Sequence, residues 1–140
     1  MKNLPDTENP LVLRTDFSNN AAWEKITAEL QEPDEEMGFT ANVECVDDAA
    51  YDRVTTEQIL EHVPEGYPHA FMFVVDQTTI SQPDHPLLIL DLIEEPGREF
   101  RAIPSTIQSI ENNLSIANMG FEEFAENVDA DGIFRGFPEA

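Results

Sequence analysis

The chain reads as an α/β fold, and three observations carry that expectation. Two runs, Phe71–Asp76 and Leu87–Leu92, are almost wholly apolar, as strands buried on both faces of a sheet are. Earlier in the chain, strand-like segments alternate with stretches whose apolar residues recur at helical spacing. Proline and glycine mark the boundaries between them. The resulting order is β-α-β-α-β-β-β-α-α. It predicts a three-layer arrangement with a mostly parallel sheet of about five strands, an antiparallel edge hairpin and C-terminal helices.

Residues 1–10 form a polar lead expected to fray, and residues 11–140 a single α/β domain, as the length predicts. Leu11–Phe17 is the first strand. Ser18 and Asn19 are cap types before a helix over Ala21–Leu30, where Trp23, Ile26 and Leu30 share one face and Pro33 sets the limit. Residues 32–36 read as an acidic surface loop. Phe39–Val46 is the second strand, with Cys45 near its end as a small buried thiol. Asp47, Asp48 and Asp52 crowd the next loop, and Thr55 and Thr56 can cap a helix over Glu57–Val63.

Between the two apolar strands, Ser81–Pro86 is too short and proline-rich for a regular crossover helix, so a loop with at most one helical turn is expected. Pro96-Gly97 punctuates a tight turn that folds Glu99–Ile103 back antiparallel. Ser105 and Gln108 have capping-box spacing and open a helix that runs to Ala117. Ile107, Ile110, Leu114 and Ala117 make its apolar face. Glu111 and Asn118 fall at one margin of that face and Asn113 at the other. A short second helix and a turn-rich tail follow.

Charge narrows the function classes. Twenty-nine acidic residues face seven basic ones, for a formal net charge of −22. Such a chain lacks the basic footprint that nucleic acid requires, and an anionic membrane surface would repel it. A basic protein is the partner class that this charge favours. Cys45 is the lone cysteine, which leaves no disulfide framework and no multi-cysteine zinc site. The first ten residues lack an apolar signal core, and no run approaches the roughly 20 apolar residues that span a bilayer. A cytoplasmic location is the simplest expectation.

Candidate site residues follow from position. Asp16, Asp76 and Asp91 stand at strand exits, where open α/β sheets hold their ligands. Three carboxylates there could hold a hard cation such as magnesium, with Arg14 and Arg101 clamping a phosphate or pairing the acids. Asp91 lies between Leu90 and Leu92, so burial would demand a partner, and Arg101 on the next strand is the expected one. Glu111, Asn113 and Asn118 complete the polar set, as a clasp for loops or the lining of a pocket.

Several chemistries lack their residues. Acids at strand exits are also found in receiver domains, but the late lysine such a domain needs is missing: the lysines are Lys2 and Lys25. Asn127–Gly132 matches the opening of a calcium loop, yet the position that should carry a bidentate glutamate is Pro138. His62, His69 and His85 match no zinc spacing. No nucleophile elbow, zinc-protease or phosphate-loop motif is present, and neither a cofactor nor a resident metal is expected.

One further pattern covers residues 11–137. Leu11–Phe17 followed by Trp23, Asp76 after an apolar strand, Asp91-Leu92, Phe100-Arg101, Glu111–Met119 and Asp131–Phe137 together resemble an uncharacterised family of small acidic bacterial proteins. That family is a domain of unknown function frequent in actinobacteria and cyanobacteria, and Glu111–Ser115 is the most specific segment. The resemblance implies a bacterial single-domain protein and brings no catalytic residue. The functional expectation is a non-enzymatic acidic domain that binds a basic protein, in the manner of an immunity-type inhibitor. The alternative is a small-ligand or metal-dependent activity at the strand-exit carboxylates.

Overall fold

In the computed structural model, which describes residues 1–32 and 40–137, six strands form one mixed sheet. They are β1 (Leu11–Arg14), β2 (Glu44–Val46), β3 (Phe71–Val75), β4 (Leu87–Asp91), β5 (Glu99–Ala102) and β6 (Ile133–Phe134). Their order across the sheet is β2-β1-β3-β4-β5-β6. β1 pairs in parallel with both β2 and β3, and β5 in parallel with β6, whereas β4 is antiparallel to both its neighbours. Five strands therefore point one way and β4 alone is reversed.

This corrects the expected architecture. The sheet has six strands rather than about five. The β4–β5 hairpin is interior, because the tail adds β6 beyond it. Apolar residues on both faces of β3 and β4 report coverage on both sides, and coverage does not fix direction. The eleven residues between Val75 and Leu87 are few for a crossover, and the short connection returns the chain antiparallel.

Helices form where caps and spacing allow. α1 (Asn20–Leu30) starts at Asn19, whose side chain accepts from the Ala22 amide. α2 (Thr56–Glu61) opens with a Thr55–Gln58 capping box, and α3 (Gln77–Ser81) with the same device between Asp76 and Thr79. α4 (Ile107–Ser115) begins differently. The expected Ser105–Gln108 box does not form, because Pro104 starts a 3₁₀ turn over Pro104–Thr106 that leads into the helix. α4 ends at Ser115, short of Ala117, which takes a left-handed φ of +55°. α5 (Phe121–Ala125) follows. The segment 33–39, which includes Pro33, most of the acidic loop and the start of the expected second strand, lies outside the described residues, as does Pro138. Of the described part of the expected second strand, only Glu44–Val46 pairs, and Cys45 on it is exposed rather than buried.

Strand alternation sorts the core into two clusters. On one face Val12, Phe73, Val75, Leu87 and Ile89 pack with Trp23, Ile26, Ile107, Ile110, Phe121 and Phe124 from α1, α4 and α5. Edge-to-face contacts of Phe100 with Phe121 (5.0 Å) and Phe124 with Phe134 (5.3 Å) seat α5 over β5 and β6. On the other face Leu11, Leu13, Met72, Val74, Leu88 and Leu90 pack with Tyr51 and with Ile59 of α2.

The lead also belongs to this second cluster and does not fray. Leu4 is buried, and its amide donates to His62 O at 3.1 Å. Tyr51 Oη donates to Asn3 O (2.7 Å), and Tyr67 Oη to Pro5 O (3.1 Å). Burial pushes the Tyr67 phenol up to about 12.

Candidate functional site

The reversal of β4 decides which candidate residues meet. Its register sets Asp91 opposite Phe71, at the start of β3, and Leu88 opposite Arg101. Asp76 follows the last residue of β3. Asp76 and Asp91 thus stand at opposite ends of the sheet, and no single ion or ligand touches Asp16, Asp76 and Asp91 together. Among the described residues, no group of three or more His, Cys, Asp or Glu side chains is placed to hold a metal.

The expected Asp91–Arg101 pair is absent because the tight β4–β5 turn sets Asp91 beside Arg98. Arg101 lies three residues along β5 from the position beside Asp91, about 10 Å at strand rise. It reaches Asp76 instead: Nη1 donates to Oδ1 (3.0 Å) and Nη2 to Oδ2 (2.7 Å). Asp76 also accepts from the Thr79 amide at 3.1 Å, so one carboxylate caps α3 and ties β5 to β3. Burial favours the neutral acid at Asp76. The Arg101 and Thr79 hydrogen bonds and the Arg101 charge outweigh it, and hold the carboxyl below its usual range. Asp91, 4% exposed, is satisfied without a cation: the amides of Ile93, Glu94 and Glu95 all donate to it at 3.1–3.2 Å. Those amides belong to the turn that Gly97 closes with a φ of +98°.

Arg14 is 3% exposed and does not pair with the Asp16 carboxylate. Its Nε donates to the Asp16 carbonyl, Nη1 to Asp47 Oδ1 (3.2 Å) and Nη2 to Asn20 Oδ1 (2.6 Å). Its guanidinium lies over the Phe17 ring at 4.4 Å and the Trp23 ring at 5.4 Å. Arg14 is thereby consumed in joining β1, α1 and the exit of β2. Asp16 Oδ1 accepts from both the amide and the hydroxyl of Ser18.

Glu111 is 2% exposed, deeper than the margin its helical phase predicts. The Asn42 amide (2.6 Å) and Asn112 Nδ2 (3.2 Å) donate to Oε1, and the Ser115 hydroxyl to Oε2. It fastens the chain at Asn42 to α4. Asn113 Nδ2 donates to Ser109 O, and Asn118 Nδ2 to Asn113 Oδ1 (2.8 Å), which closes the end of α4. Among the described residues no buried side-chain nitrogen or oxygen lacks a partner. The α4 set is a clasp in its geometry.

A cavity of about 810 Å³ opens beyond the carboxyl ends of β1 and β3. β2 lies on one side of β1 and β3 on the other, so the cavity sits where strand order reverses, the usual ligand crevice of such sheets. Asp16, Ser18, Asp76 and Thr78 line it, joined by Asp52 and Arg53 from the loop before α2. Strand ends do not point to these last two as site residues. The crowding of Asp47, Asp48 and Asp52 is visible in the sequence, but the left-handed φ of +61° at Arg53 is not.

The remaining motifs are internally engaged. Arg135 binds Asp129, Asp131 and Asp84, tying the tail to the turn before β4. His62, His69 and His85 each meet a backbone carbonyl through one ring nitrogen. No helix among the described residues is long and apolar enough to cross a membrane.

No curated protein matches the chain. Residues 9–137 match the family model described as Domain of unknown function (DUF6924). The match takes in the six strands and five α-helices of the described residues, and the chain belongs to this family.

Proposed function

We propose that the chain is a non-enzymatic binding domain that captures a basic protein, as an immunity-type inhibitor does, in the cytoplasm of a bacterium. One observation carries this reading. Among the described residues, Lys2, Arg14, Arg98, Arg101 and Arg135 are all engaged in ion pairs with acids of their own chain. Two basic side chains, Lys25 and Arg53, remain outside those pairs, against a net charge of −22. The outer field is therefore of one sign, which speeds encounter with a cationic partner and repels anionic ones.

The test is affinity capture from extract of the source cells, followed by titration of the purified partner at rising salt. The expected partner is a basic protein bound in fixed stoichiometry. Its dissociation constant should rise about tenfold or more between 50 and 300 mM salt, and its own activity should fall as the complex forms. Binding indifferent to salt, or capture of no basic protein, would overturn the reading.

A further inference from the structure

The cavity beyond β1 and β3 offers a chemistry that capture of a basic protein does not use. Its volume, about 810 Å³, lies in the range of small-molecule sites. Two of its charged groups are already spoken for: Asp76 by Arg101, and one oxygen of Asp16 by Ser18. Others are open. Among the described residues, Asp52 and Asp16 Oδ2 accept no hydrogen bond, and the Arg53 guanidinium donates none and lies in no ion pair. Asp52 and Arg53 are chain neighbours of opposite charge, yet they do not pair with each other. The Arg53 backbone is fixed, its amide donating to Thr15 O at 2.8 Å with a left-handed φ of +61°, and from it the exposed Arg53 side chain lines the cavity.

A ligand that met only the arginine would be an anion, and the −22 field would oppose its approach. A ligand that met only the carboxylates would leave Arg53 facing its positive charge. A molecule bearing both an ammonium and a carboxylate satisfies both sets and carries no net charge through the field. The hydroxyls of Ser18, Thr78 and Ser81 supply neutral partners, and Phe17, Val54 and Ile80 an apolar wall.

We propose that this cavity binds a small zwitterion, a free amino acid or a short peptide, with Arg53 on the ligand carboxylate and Asp52 and Asp16 on its ammonium group. The source of the zwitterion is decided by which probes bind.

The experiment is an amide NMR titration of the whole chain with the common L-amino acids and with di- and tripeptides of alanine, each to about 10 mM, a weak-binding range. L-alaninamide and propionate serve as analogues that keep one charge only. At least one zwitterion should move the Ser18, Arg53 and Thr78 signals saturably, with its one-charge analogues about tenfold weaker or worse. Arg53→Gly suits the left-handed φ, so it keeps the fold, and it should weaken that binding about tenfold or more. Asp52→Asn should do the same. No saturable shift from any probe would overturn the proposal. So would one-charge analogues that bind as tightly as the zwitterion, or an Arg53→Gly variant that binds like the parent chain.

Discussion

The eight candidate polar residues divide evenly between the two ends of the sheet, and the ends handle buried charge in different ways. At the carboxyl ends of β1 and β3, Arg14 and Asp76 are ionic partners of Asp47 and Arg101. At the amino ends, Asp91 and Glu111 are more deeply buried than Asp76, yet they meet only backbone amides, a side-chain amide and a hydroxyl. Such neutral donors lie on the backbone or on short side chains, so no long side chain need be ordered. Long-range ion pairs order the loops they join and leave neighbouring groups uncommitted. The end built from ion pairs is also the end with the large cavity and the unengaged Asp52 and Arg53. At the end built from neutral donors the cavities are smaller: Asp91 and Asn118 line one of about 330 Å³ and Glu111 one of about 380 Å³.

Substitutions can break this contrast. Glu111→Ala should be the most damaging, lowering unfolding free energy by about 3 kcal/mol, because it removes a buried side chain together with the hydrogen bonds that fasten Asn42 to α4. With no cation involved, that loss should be the same in low and high salt by urea denaturation. Arg101→Met should cost less, about 2 kcal/mol, since Asp76 keeps its Thr79 donors and some access to water. Its loss should also depend on pH. A depressed carboxyl pKa contributes stability that is fully present above the unfolded value of about 4 and disappears as pH falls through the folded value. Arg101→Met should therefore flatten the acid limb of the stability curve, whereas Glu111→Ala leaves the Asp76 contribution in place. An equal acid limb in the parent and Arg101→Met chains would break the comparison. The smallest expected effect is a gain. Arg53→Gly relieves a left-handed non-glycine residue and should add about 1 kcal/mol, or some 2–4 °C in Tm, as thermal melting would read.

Much of the fold is legible in the residues, and the missing parts have physical causes. Trp23, Ile26 and Leu30 mark α1, Thr55 marks the start of α2, and Pro96-Gly97 marks the hairpin, because each signal is local. The direction of β4 is not local, and the separation of Asp76 from Asp91 follows from it. Leu87–Leu92 reads the same forward or reversed, yet reversal carries Asp91 away from Asp76 and delivers Arg101 to Asp76. Glu111 sits at the edge of its helical stripe by phase alone. Its burial comes from the chain at Asn42, which is 69 residues away. The Ser105–Gln108 box fails because Pro104 imposes a tighter first turn. At the site, Asp16 and Asp76 could be found from strand ends. Arg53 could not, since nothing in an arginine announces a left-handed backbone.

The place of β6 has a consequence for chirality. The connections from β1 to β2 and from β2 to β3 move in opposite directions across the sheet and carry α1 and α2 on opposite faces, so they share one hand. The connection from β5 to β6 moves in the same direction as that from β2 to β3, but α4 and α5 lie on the face of α1. Its hand is therefore opposite to theirs. Mixed hands are rare because strand twist steers a crossover to one side. A strand of two residues has little twist to impose, and Phe134 under Phe124, with Arg135 across three aspartates, holds it from its side chains. The sixth strand is thus an edge seal whose brevity permits the turn that placed it.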